Sequence, residues 1–290
     1  MNHIPTEEEI EEMLRRNQSP IPMISYDLPE GYILVRARYH DSTYLPEFVK
    51  DIYYPPEPKK INLGRANNWG QQVFYGMLAT GGIGPRLAAC QEVGDEHHWP
   101  PTFTVSRWRV KKTLPDVASV IMHESQTKGN AFAHLTYVRN FQYLSELPTS
   151  IIAKSKAHLE YIGQQFARKI TDCRYELTVR FANYLFDNGM NAIIYPSVSK
   201  DYDSICIALP ADVADEYLEP VGGGLTQIHR TAPDLADECC YQTFTVKGER
   251  LIWSPYDDQG PERHPFDENS IIPHRLNPCK ALREQLGIQL

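Results

Sequence analysis

Two stretches in the second half of the chain space their apolar residues for helices, and short β-branched runs flank them on both sides. Residues 155–170 bring Leu159, Ile162, Phe166 and Ile170 onto one helical face, and residues 176–188 do the same with Leu177, Phe181, Tyr184 and Leu185. Gly189 follows, placed for the left-handed backbone that ends a helix. Upstream, YILVRARYH (32–40), QQVFY (71–75) and TFTVSRWRV (102–110) read as strands. Downstream, NAIIYPSV (191–198) and SICIALP (204–210) read as strands, and YQTFTVKGERLIW (241–253) as a hairpin about Lys247-Gly248-Glu249. Strands grouped around a helical block, without strict alternation, predict an α+β domain. At 290 residues the chain is long enough to bury a sizeable core.

Turn and capping residues set the boundaries. Thr6-Glu7-Glu8-Glu9 is a capping-box pattern with Arg15–Arg16 downstream, which predicts a short surface helix over 6–17. Pro20, Pro22 and Pro29 mark an extended leader, and Pro46, Pro55, Pro56 and Pro58 exclude a continuous helix across 41–60. GGIGP (81–85) predicts a turn before a helical RLAACQEV (86–93), and VGGG (221–224) a flexible turn. The expected organisation is a helix and leader over 1–30, one domain over 31–253, and a proline-rich tail over 254–290 with a short helix near 279–286.

Charge and cysteine usage narrow the partners. A net charge of −8, with Lys59–Lys60 and Lys111–Lys112 as isolated pairs, offers no basic face for nucleic acid. Cys90, Cys173, Cys206, Cys239, Cys240 and Cys279 lack C-x-x-C spacing, which argues for reduced thiols rather than zinc or a disulfide framework. His97–His98 has no partnering ligands at metal-site spacing, so no metal is expected. The N-terminus lacks a signal-peptide pattern, and no apolar run approaches membrane-spanning length. Together these predict a cytoplasmic protein without a membrane partner.

Three islands put reactive groups at the edges of apolar strands. Arg36 and Arg38 lie two apart, so in a strand they share a face. They repel there unless an anion lies between them or water surrounds them at the strand end. In LGRANNWGQQVFY (63–75), Gly64 and Gly70 allow close backbone approach, Arg65 reaches from a turn, and Tyr75 offers a flat face to a ring. A tight connection with a surface arginine and a core tyrosine would use the same residues. In IIYPSV (193–198), Ser197 follows a strand-ending proline without a G-x-S-x-G elbow, so a ligand hydrogen bond suits it better than a hydrolase nucleophile. Glu92 is a carboxylate in an otherwise apolar segment, either on a solvated face or held beside a ligand.

In this order the islands resemble the RES domain, a family named for its Arg, Glu and Ser. The resemblance rests on VRAR (35–38), GRAN (64–67), QQVFYG (71–76), LAACQEV (87–93) and IIYPSV (193–198), and spans roughly residues 32–215. It implies an ADP-ribosyltransferase-like split β-sheet core with flanking helices, carrying here a helical insertion over about 95–190. It implies NAD⁺ as substrate with no further cofactor. Carried over, Arg36 and Arg65 bind the diphosphate and adjacent ribose, with Arg38-Tyr39 as the alternative early pair. Tyr75 stacks on the nicotinamide, Ser197 lies near it, and Glu92 stabilises the positive ribose as the glycosidic bond breaks. Characterised members are toxins of bacterial toxin–antitoxin pairs, which implies an antitoxin protein as partner. NAD⁺ hydrolysis or phosphorolysis is the leading expectation. ADP-ribosyl transfer to a protein, or a catalytically silent nucleotide- or partner-binding module, are the alternatives.

Overall fold

The unbroken apolar runs IIYP and ICIAL require a sheet covered on both faces. That is what the computed structural model contains. It describes residues 8–9, 12, 25–39, 45–78, 84–93, 102–145, 149–168, 175–198, 202–232 and 235–255. The strands are β1 (Ser25–Leu28), β2 (Ile33–Tyr39), β3 (Val73–Leu78), β4 (Thr102–Val110) and β5 (Leu114–Ser119). β6 (Ala192–Pro196), β7 (Ile205–Pro210), β8 (Leu218–Ala232), β9 (Leu235–Lys247) and β10 (Arg250–Pro255) complete one sheet, ordered β1-β5-β6-β7-β3-β2-β4-β8-β9-β10. Pairing is antiparallel except between β5 and β6. Parallel neighbours need a long crossover, and here it is helical: α3 (Ala131–Ser145), α4 (Thr149–Ala167) and α5 (Glu176–Asp187). Shorter helices include α1 (Val49–Ile52), α2 (Pro85–Val93) and α6 (Ala211–Tyr217).

Each face of the sheet has its own core. Ile193 and Tyr195 of β6 with Cys206 and Ala208 of β7 turn to α2, α4 and α5, where Ala88, Ala89, Ile162, Phe166 and Phe181 meet them. The alternate residues Ala192, Ile194, Ile205, Ile207 and Leu209 pack with Phe74, Trp108, Phe132 and Phe244 on the other side. Burying a side chain of this size stabilises by about 1.5–3 kcal/mol, so reversing the facing of either strand would cost several such terms. Register is thereby fixed.

One seam in the sheet is incomplete. β4 pairs with β2 from Ile33↔Arg109 to Tyr39↔Phe103, and β7 pairs with β3 from Val73↔Pro210 to Leu78↔Ile205. β2 and β3 themselves share two registered pairs, Leu34↔Leu78 and Val35↔Met77. Past those pairs the two strands part, leaving a notch between Arg36–Tyr39 and Val73–Tyr75. α2 packs across it from one side, touching both strands.

Several sequence expectations need correction. VGGG is not a turn but the early part of β8, where Gly222, Gly223 and Gly224 face Arg107, Ser106 and Val105 of β4. The reason is close packing: a Cβ on Gly223 would lie 2.2 Å from Val105 O and 2.3 Å from Phe244 Cζ. The strand expected at 71–75 runs over Val73–Leu78, and the leader ends in β1, paired with β5. Residues 95–190, expected as a helical insertion, supply α3 to α5 but also β4 and β5, which are integral to the sheet. Glu8, Glu9 and Glu12 are helical. The rest of the 6–17 helix, most of GGIGP, His97–His98, Ile170 and the tail with its helix near 279–286 lie outside the described residues. Among the described residues no helix is long and apolar enough to cross a membrane.

Candidate functional site

The notch between β2 and β3 opens into a cavity of about 480 Å³ lined by Arg36, Arg38, Arg65, Tyr75, Glu92 and Tyr195, among others. Because it passes through the sheet, it collects side chains that a continuous sheet would keep on opposite faces. Val35 and Ala37 belong to the α2 side, so the alternate residues Arg36 and Arg38 project to the other. Glu92 reaches the same space from α2.

Arg36 occupies the point where the ladder stops. Its Nη1 donates to Tyr75 O at 2.6 Å, a carbonyl that a continuing β2 backbone would have taken. The guanidinium lies over the Phe74 ring at 5.4 Å, and its Nε is buried with no hydrogen-bond partner among the described residues. Burial, and secondarily the like charge of Arg38, pull it down to about 9, still a cation at neutral pH. Arg38 is steadied by donating from Nη2 to Tyr53 O, and Tyr53 is stacked on Trp108 with ring centroids 4.5 Å apart.

The GRAN turn is built around the hydroxyl of Tyr75. That hydroxyl donates to Asn67 Oδ1 at 2.7 Å and accepts from Ala66 N at 2.9 Å. Asn67 in turn donates from Nδ2 to the carbonyls of Asn62 and Asn68, both at 2.8 Å. Gly64 is required here, because a Cβ would lie 2.3 Å from Asn67 Oδ1 and 3.0 Å from the Tyr75 hydroxyl. Tyr75 therefore commits its polar end to the turn and gives its ring to the cavity wall. Burial raises its pKa.

Arg65 is tied to the end of α4. Nη1 donates to Phe166 O at 2.7 Å, and both Nη atoms approach Arg168 O at 3.3 Å. A cation at a helix C-terminus satisfies orphan carbonyls and complements the helix dipole. Its guanidinium also sits 5.5 Å from the Tyr175 ring and 6.0 Å from the Tyr195 ring.

Glu92 Oε2 accepts the hydroxyl of Ser197 at 2.5 Å. Ser197 is 1% exposed and is not among the residues lining the cavity, which it meets through the Glu92 carboxylate. Burial raises the Tyr195 hydroxyl and the Cys206 thiol well above their usual values, and Glu92 adds to both.

The structure thus brings Arg36, Arg38, Arg65, Tyr75 and Glu92 to one cavity and places Ser197 one bond away. Both candidates for the early arginine line it. Sequence reasoning passed over Tyr195 within IIYPSV, because a tyrosine in a β-branched run reads as core; it is core and wall at once. Tyr175 and Cys206 also line the cavity and carried no signal in the sequence. Among the described residues no cluster of three or more His, Cys, Asp or Glu is arranged to hold a metal. Comparison with models of protein families, with curated proteins and with solved structures finds no match for this chain.

Proposed function

We propose that the protein consumes NAD⁺ as RES-type enzymes do, breaking the nicotinamide–ribose bond by hydrolysis or phosphorolysis. One observation carries this reading: three guanidiniums and one carboxylate from three segments line a single cavity. The excess of two positive charges there stands against a chain of net charge −8. Guanidiniums grouped in this way suit a diphosphate, which carries the matching charge and accepts their bidentate hydrogen bonds. The parting of β2 and β3 fits the split core that an ADP-ribosyltransferase-like fold would have.

The chemistry follows from charge. NAD⁺ carries its positive charge on the pyridinium. When the C1′–N bond breaks, the bonding pair leaves with nicotinamide, which becomes neutral, and the ribose is left as an oxocarbenium ion. Glu92, held by Ser197, stabilises that ion more than the ground state, where the charge is spread over the departing ring. Arg36 and Arg38 neutralise and position the diphosphate, while Tyr75 and Tyr195 flank the ring. Water or inorganic phosphate then attacks C1′, giving ADP-ribose or its 1′-phosphate.

Purified protein incubated with NAD⁺ in water, in phosphate and with a mixture of proteins tests this directly. Nicotinamide release should occur in at least one of these. ADP-ribose, its phosphate ester or labelled protein then identifies hydrolysis, phosphorolysis or transfer. Glu92→Gln should lower the rate by about 10²-fold or more. A wild type that leaves NAD⁺ intact under all three conditions rejects the enzyme and leaves a nucleotide-binding module. A toxin of this kind would also need an antitoxin protein, so expression in bacteria should arrest growth with Glu92 and not with Gln at that position.

A further inference from the structure

The loop between β6 and β7 holds a tyrosine in a backbone conformation that its neighbours impose. Tyr202 has φ +72°, a left-handed value that a bulky residue keeps when its surroundings over-determine it. Two contacts do so. Its N–H donates to Ser197 O at 3.1 Å, and its hydroxyl donates to Ala167 O, at the end of α4, at 2.9 Å. Ser197 is held from its other side too, its N–H donating to Ser204 O at 2.7 Å. With both backbone groups of Ser197 engaged, its hydroxyl is presented to Glu92 at 2.5 Å. The same helix end anchors Arg65 through Phe166 O and Arg168 O. Three successive carbonyls at this helix terminus therefore hold Arg65 in the cavity wall and Tyr202 beside Ser197.

We propose that Tyr202 is a positioning residue for Glu92, acting through Ser197. Its hydroxyl fastens Tyr202 to α4, and its N–H, bonded to Ser197 O, sets the serine against the carboxylate. This role rests on the enzymatic reading of the cavity. Positioning of the group that meets the reacting ribose governs the chemical step more than ground-state binding.

Tyr202→Phe keeps the ring and removes the anchor. Nicotinamide release should lose about tenfold in kcat with KM unchanged, and combining this change with Ser197→Ala should add nothing further. Losses that multiply, or a rise in KM at constant kcat, would show that Tyr202 does not act through Ser197. A second measurement needs no activity. Urea unfolding of Ser197→Ala, Glu92→Gln and the pair reads the serine–carboxylate coupling, once with Tyr202 and once with Phe in its place. Coupling that disappears with Phe supports the proposal; coupling that survives overturns it. A wild type that never cleaves NAD⁺ would sink the enzymatic reading, and the unfolding cycle would still decide whether Tyr202 sets the carboxylate.

Discussion

At the scale of single residues, Arg36 and Tyr75 play opposite parts in stability and binding. Arg36 is a half-buried cation whose buried Nε has no partner among the described residues and which has a like-charged neighbour, so it strains the fold in a way that a bound anion would offset. Arg36→Met should therefore weaken NAD⁺ binding by tenfold or more in calorimetry. It should leave stability in urea within about 1 kcal/mol, since replacing a poorly compensated buried charge by an apolar chain is often neutral. Tyr75→Phe should do the reverse. It leaves Ala66 N–H and Asn67 Oδ1 without the hydroxyl that joins them, a loss of about 1–3 kcal/mol in urea unfolding, while the ring remains. A Tyr75→Phe protein as stable as wild type would mean that the GRAN turn does not depend on that hydroxyl. Residue identity was legible in the sequence here, but the use of each group was not. Arg65 was expected as a ligand clamp; it lines the cavity and is also tied to a helix end. Ser197 was expected near the ligand, and its hydroxyl is bonded to Glu92. Both partners lie about a hundred residues away in the chain, a distance that no local pattern spans.

At the scale of elements, the sequence spoke clearly wherever burial is continuous. β4, β6, β7 and α5 agree with their expected ranges to within a residue or two, because a run such as ICIAL or a stripe such as Leu177–Phe181–Leu185 has one way to hide itself. It misled where glycine serves packing instead of turning. The triple glycine of β8 has a turn's composition, yet Gly223 is flat against Val105 and Phe244, and Val221 is the extra residue of a bulge between Gly222 and Pro220. Gly223→Ala should therefore destabilise the protein by about 1–3 kcal/mol or more, the cost of overpacking a closed interior. The check is its urea midpoint beside that of Gly248→Ala. Gly248 sits in the β9–β10 turn, where an added Cβ would meet nothing within 4 Å, but at φ +59°. Its penalty is therefore confined to backbone strain of about 1 kcal/mol. Equal losses at the two positions would show that close packing is not what requires glycine in β8.

At the scale of the whole molecule, the sheet consists of two well-paired groups of strands meeting at a two-pair seam. One group is β1-β5-β6-β7-β3 and the other β2-β4-β8-β9-β10. The cavity lies at that seam, with Arg36 and Arg38 on one side and Tyr75 and Tyr195 on the other. A ligand seated there touches both groups, so binding should brace the sheet as well as fill a hole. The Glu92→Gln protein, which should bind NAD⁺ without consuming it, makes this measurable. At about 100 times Kd the ligand contributes about 2.7 kcal/mol to the native state, which in a chain of this size raises Tm by roughly 5 °C. The location of the effect is the sharper criterion. Amide exchange should slow most in β2 around Arg36–Arg38 and in β3 around Tyr75–Gly76, where backbone groups border the gap. Protection confined to α2 would place the ligand on the helix alone, and a Tm rise without protection at either strand would show that the seam is not where NAD⁺ binds.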